Sequence, residues 1–243
     1  MNFYAIIIGT EILNGRREDK HFTFLQAELK KYGHELFASF IIKDDRELIT
    51  KSYELVKSDE RSVLFSFGGI GSTPDDLTRK IAADVFTSKP LCRHSKFEQD
   101  ILDKFKKEAY PHRIHMSDLP QGSDLLFNPI NNMSGFSLQN RYFFVPGFPQ
   151  MAHPMISDAI QNYFSKSVKK FRYTLLAQTS ENTLISVMNK IPSSIELSSL
   201  PIFKDNIPSV ELSLSGKNDE EVRGCFNLFI EALDNSNIQY VLI

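Results

Sequence analysis

The chain has 243 residues, of which 42% are hydrophobic, and a formal net charge of −2. This length and apolar content allow a full core, as one large domain or a medium one with a small companion. The near-balanced charge gives no argument for a nucleic-acid partner or an acidic substrate surface. No apolar run approaches the ~20 residues of a membrane-spanning helix.

Phe3 to Ile8 is an unbroken apolar run, the pattern of a parallel strand buried on both faces. With no basic leader or cleavage site, it reads as a strand and not a signal peptide. Phe22, Leu25, Leu29 and Tyr32 then fall at helical spacing and Gly33 follows as a stop. Leu36 to Ile42 predicts a second strand, and Leu48, Ile49, Ser52 and Val56 the inner stripe of a second helix. Val63 to Phe67 predicts a third strand, and Leu77, Ile81 and Val85 a third helix. Strand alternating with helix predicts a doubly wound α/β sheet. A further helix is expected around Phe97, Ile101 and Phe105, then a loop over 109–122. Short strands follow in "LLFNP", "FSL" and "YFFVPG", then a helix through Ile156, Ile160 and Phe164.

The character changes at the polar, basic joint 165–170, which places a domain boundary near residue 167. Beyond it the predicted order is strand (171–177), helix from Ser180, strands at 195–200 and 210–214, helix through Val222, Phe226 and Phe229, and strand 240–243. That order is a split βαβ module. The domains expected are thus 1–166 and 167–243.

Chemistry concentrates in "GGIGSTPDDLT", from Gly68 to Thr78, at the carboxyl end of the third strand. Open α/β sheets hold ligands at such ends. Glycines let the backbone approach an anion closely. The spacing predicts Thr73 as N-cap, Pro74 at N1, and Asp75 and Asp76 at N2 and N3. The same residues also suit a plain cap and turn. Glu11, after the first strand, and Asp44, after the second, bring two more acids to the same edge. Converging carboxylates beside a phosphate require a hard divalent cation, Mg²⁺ or a similar ion.

"IGTEILNG", "IIKDDREL", "GGIGSTPDDLT", "NPINNMSGF" and "VPGFPQM" stand in the order found in the N-terminal domain of the competence/damage-inducible protein CinA. The chain resembles that family, within the molybdopterin-binding MoaB/Mog superfamily, over about residues 3 to 165. The resemblance implies a three-layer α/β/α sandwich, followed by a small α+β domain of KH-like type. It implies that Gly68, Gly69, Gly71, Ser72, Thr73 and Asp75 line a phosphate. Glu11, Asp44 and Asp76 would be the catalytic, metal-holding acids. Asn128, Pro129 and Gly135 would form a second ligand loop, and Pro146, Gly147 and Pro149 a third. It further implies hydrolysis of ADP-ribose, FAD or related pyrophosphates with Mg²⁺, Mn²⁺ or Co²⁺, or, as in the Mog relatives, handling of molybdopterin. The chain departs from the family at Ser72, Pro74, Asn131 and Ser134. These ligand-loop positions put substrate identity in question. CinA proteins often carry a further amide-hydrolysing domain; no such activity is assigned here.

The second module has no GxxG clamp or basic stripe, so packing or dimerisation is expected of it in place of RNA binding. A homodimer is expected, with a trimer as the alternative. His112 and His115 lack a third nearby zinc-type ligand. Cys92 and Cys225 fit no metal or redox spacing, and their usage suits a reducing, cytoplasmic setting. Three functions stay open: a metal-dependent pyrophosphatase, a non-catalytic nucleotide or pterin binder, and an interaction protein with a decayed site.

Overall fold

The computed structural model describes residues 1–167, 169–204 and 207–243. The chain divides into two compact units, Met1–Ser167 and Val168–Ile243.

The first unit runs β1 (Asn2–Ile8), α1 (Thr10–Leu13), α2 (His21–Lys30), β2 (Leu36–Ile42), α3 (Arg46–Ser58), β3 (Ser62–Phe67) and α4 (Thr78–Ala82). It continues with β4 (Leu91–Arg93), α5 (Ser95–Phe105), β5 (Asp118–Pro120), β6 (Asp124–Leu126), β7 (Gly135–Leu138), β8 (Tyr142–Val145) and α6 (Pro149–Phe164). Six strands form one sheet in the order β2-β1-β3-β8-β7-β6. The first four run parallel, and β7 and β6 turn antiparallel at the edge.

The unbroken apolar run of β1 has the predicted cause. Tyr4, Ile6 and Ile8 enter one core with α3, α4 and α5, while Phe3, Ala5 and Ile7 enter a second core with α2 and α6. Alternate side chains of a strand face opposite ways, so a strand covered on both sides must be apolar throughout. The result is a three-layer α/β/α unit. The inner stripe of α3 is Ile49, Tyr53 and Val56, and Leu48 is exposed. Ser52 lies on the outer face and returns its hydroxyl to the Leu48 carbonyl (2.8 Å). Tyr53 fills the place predicted for Ser52, and its hydroxyl meets the buried Ser66 hydroxyl at 2.8 Å. Burial pushes the Tyr53 phenol up to about 12. Phe22, expected on the inner face of α2, is also exposed. The segment expected as a loop carries a 3-10 turn, Arg113–Ser117, and β5.

The second unit runs β9 (Phe171–Ala177), α7 (Ile185–Met188), β10 (Glu196–Lys204), β11 (Ile207–Gly216), α8 (Asp219–Asn235) and β12 (Tyr240–Leu242). Its sheet order is β10-β11-β9-β12. Leu175, Leu212 and Leu214 pack with Val222, Phe226 and Phe229 of α8 in its own core. The helix expected from Ser180 shortens to a 3-10 turn, Glu181–Thr183, followed by α7. Among the described residues, no helix is long and apolar enough to cross a membrane.

Candidate functional site

Strand register sets the site. Ile8 lies beside Ile42, Ile7 beside Phe67, and Phe67 beside Val145, so four parallel strands end nearly level. The segments leaving those ends enclose a cavity of about 540 Å³. Gly68, Gly69, Gly71, Ser72, Thr73, Asp75 and Asp76 line it from the third strand, and Pro146 and Gly147 from β8. Glu11 and Asp44 line it from the first two.

The glycine loop is shaped by its own close packing. Gly68 has φ 100° and Gly69 φ 68°, a region that side-chain-bearing residues avoid. A Cβ on Gly68 would overlap the Ile8 carbonyl oxygen, and one on Gly69 the Thr78 hydroxyl. That hydroxyl donates to the Gly68 carbonyl (2.9 Å) and the Thr78 amide to the Gly69 carbonyl (3.0 Å). The buried Arg79 guanidinium donates through Nη1 to the Ile70 carbonyl (2.6 Å) and to that of Gly71. Burial lowers its pKa, against the pull of Asp76 and Asp118.

The helix expected to start at Pro74 starts at Thr78 instead, with Leu77 before it. Asp76 accepts through Oδ2 from the Thr73 amide (2.8 Å) and hydroxyl (2.6 Å), which closes a turn over 73–76. Hydrogen bonding from Thr73, then from its own backbone, holds the Asp75 carboxyl below its ordinary value. Asp44 accepts through Oδ2 from the Thr10 amide and hydroxyl, both at 2.8 Å, tying the first strand end to the second. Asp45, not Asp44, caps α3 on the Leu48 amide (2.9 Å). Glu11 lies in α1 and pairs with Arg17 at 3.7 Å.

The three acids therefore share one cavity, but each has its own partner. Among the described residues, no three His, Cys, Asp or Glu side chains come together as a metal-holding group. The acids thus share the edge expected of them without closing on one point. The donor set still suits a hard cation, because Mg²⁺ takes one or two carboxylates and completes its shell with water and substrate phosphate oxygens. The bonds to Asp44 and Asp76 fall on one oxygen of each, Oδ2.

The second loop also differs. Asn128, Pro129 and Gly135 are not among the lining residues. Asn128 is fully buried and braces the loop, donating to the Asn131 side chain (2.8 Å) and the Met133 carbonyl (3.0 Å) and accepting from the Ile130 amide (3.0 Å). A Cβ on Gly135 would strike the Phe144 carbonyl across the sheet. The cavity instead meets Asn131, Met133 and Ser134. Three of the four family departures, Ser72, Asn131 and Ser134, thus line the cavity.

Two cations and an apolar wall complete the lining with no signal in the sequence. Arg17 lies over the Phe148 ring (Cζ 5.2 Å from its centroid) and Arg113 over that of Phe105 (4.6 Å). All four residues line the cavity, with Phe97, Met116 and Met151. No local pattern marks them, because tertiary folding alone brings them to the glycine loop. His115, discounted as a metal ligand, meets Asp118 (2.7 Å).

Behind Gly147 sit two histidines. His21 Nε2 donates to the Gly147 carbonyl (3.3 Å), and its ring stacks on Phe67 at 4.3 Å. The His153 ring lies flat on Phe24 at 3.7 Å and edge-on to His21 at 5.3 Å. Burial, then His21, pushes His153 down to about 4 from 6.5, and burial also lowers His21. With a depressed folded pKa, the unfolded chain takes up the proton first. Stability is full above about pH 6.5 and falls as pH drops toward about 4. His153→Phe keeps the flat contact with Phe24 and removes that titration. Between pH 7 and 5 the wild-type melting temperature should fall by roughly 2–4 °C more than the variant's, for about 1 kcal/mol after allowing for the half-buried ring. Parallel falls in thermal melts would reject this role.

A family model described as a probable molybdopterin binding domain matches residues 4–166. A CinA-like protein of Nostoc punctiforme is 32% identical over 64% of this chain and 38% of its own length. Another, of Sulfurihydrogenibium, is 24% identical over 100% of this chain and 62% of its own. The chain thus spans less than two thirds of these curated relatives. The crystal structure of a CinA protein of unknown function from Thermoplasma acidophilum matches with a TM-score of 0.60. It is 23% identical and covers 67% of this chain and 98% of that one. This likeness supports the fold alone.

Proposed function

The chain belongs to the family of probable molybdopterin binding domains, as a member of its CinA type, and from that premise we propose that it is a divalent-metal-dependent pyrophosphatase. Its substrate would be ADP-ribose, FAD or a related nucleoside diphosphate compound. One observation carries this reading: a glycine loop, strand-end acids and two guanidinium groups line a single cavity.

The residues divide the work by chemistry. Backbone amides from Gly69 to Ser72, between the bonded amides of Gly68 and Thr73, and the Arg17 guanidinium suit phosphoryl oxygens, which carry the charge that grows in the transition state. Arg17 starts from its pair with Glu11, so it is already held at the acidic side. Glu11, Asp44 and Asp76 are the residues that would hold Mg²⁺, Mn²⁺ or Co²⁺, which would neutralise the diphosphate and lower the pKa of a bound water. Thr10 and Thr73 fix the two aspartates, so they do not have to be ordered when the diphosphate arrives.

A panel of nucleoside diphosphate compounds with each metal tests the reading. Release of AMP from ADP-ribose by the wild type, lost in Asp76→Ala, is expected. No release by the wild type above that variant would reject catalysis. Ser72, Asn131 and Ser134, loop positions where the chain departs from the CinA pattern, stand in the lining and favour a second reading: a binder of nucleotide or molybdopterin without turnover. A thermal shift with ligand but no product would support that one.

A further inference from the structure

The cavity wall has two chemical characters. The strand ends supply glycine amides, carboxylates and Arg17. The α5 segment and the 3-10 turn after it supply Phe97, Phe105, Arg113 and Met116, an apolar wall with one cation. A ligand that satisfies both halves has a charged diphosphate at one end and a flat apolar group at the other.

Arg113 is the organised part of this wall. Its guanidinium lies over the Phe105 ring, 4.6 Å from the centroid. Nη1 donates to the Glu108 carbonyl and carboxylate, both at 3.1 Å. Ring contact below and hydrogen bonds at the edge favour one orientation of this partly exposed planar group. A guanidinium held this way presents a flat face on which a heteroaromatic ring stacks, a geometry that lysine cannot reproduce. The second guanidinium–ring pair in the cavity lining, Arg17 on Phe148, is tied to Glu11 among the acids and so belongs to the diphosphate half.

We infer that Arg113, stacked on Phe105, is the specificity platform of the site and reads the heteroaromatic ring of a nucleoside diphosphate ligand. The inference rests on the pyrophosphatase reading for its ligand class but not on turnover. It makes the ring, and not only the phosphates, a source of affinity.

The test is calorimetry with two probes in Mg²⁺, ADP and inorganic pyrophosphate, on the wild type, Arg113→Ala and Arg113→Lys. Base stacking on such platforms is lost about tenfold or more on truncation. Both variants should therefore bind ADP about tenfold more weakly than the wild type, while pyrophosphate stays within about twofold. Lysine keeps the charge and loses the plane, so it should not rescue. If Arg113→Lys restores ADP binding, or pyrophosphate weakens in parallel, Arg113 contacts phosphate and the platform is wrong. Unchanged ADP affinity in Arg113→Ala also overturns it. If the wild type binds neither probe, the diphosphate site itself fails and the platform with it, an outcome distinct from those in which pyrophosphate still binds. Thermal melts of the two variants within ~2 °C of the wild type keep loss of folding apart from loss of stacking.

Discussion

Alanine in place of Gly68 is expected to lower the melting temperature of the first unit by roughly 6–12 °C, equivalent to about 3 kcal/mol or more. Two effects add. Gly68 has φ 100°, where any side chain brings backbone strain. The new Cβ would also overlap the Ile8 carbonyl oxygen at the end of β1. That carbonyl is backbone of a buried strand end and cannot swing aside as a side chain could. Gly68 also donates its amide to the Val145 carbonyl (2.9 Å) and accepts from Thr78, so a shift would loosen the cavity floor on both sides. A melting temperature within ~2 °C of the wild type would show that the loop has slack that this packing denies it.

Asp44→Asn is the second large effect, and it falls on chemistry. The amide oxygen of asparagine can still accept from the Thr10 amide and hydroxyl, so the tie between the first two strand ends survives. The charge does not. On the pyrophosphatase reading, ADP-ribose turnover with Mn²⁺ should fall at least about 100-fold, with a melting temperature within ~2 °C of the wild type. A loss below about threefold would remove Asp44 from the group that holds the cation, and with it the link between strand-end acids and catalysis.

How far the sequence reaches is clearest in particular residues. The six buried apolar residues of β1, from Phe3 to Ile8, announce a strand covered on both sides, and two cores meet there. The three strand-end acids are legible for the same reason: strand ends can be counted, and open sheets gather ligands at one edge. The helix start at Pro74 misleads because Asp76 caps backwards onto Thr73. The local chemistry of a closed turn and of a helix start is the same, and only the chain beyond decides. Ser52 in place of Tyr53 is a slip of one position that a strict i, i+4, i+7 count from Ile49 corrects, since Tyr53 and Val56 complete that stripe. Asn128 reads as a ligand contact in its motif but points inward to brace the loop. Arg17 and Arg113 carry no local signal. One follows α1 and the other lies in the turn after α5, and only the folded unit sets them on a common cavity.

The most direct measurement is a crystal grown with ADP-ribose and Mg²⁺. The diphosphate, or the AMP product, is expected against the 69–72 backbone, with a cation bonded to Asp44 and the adenine on Arg113. Ligand density outside this cavity, or a cation whose shell contains none of Glu11, Asp44 and Asp76, would contradict that expectation.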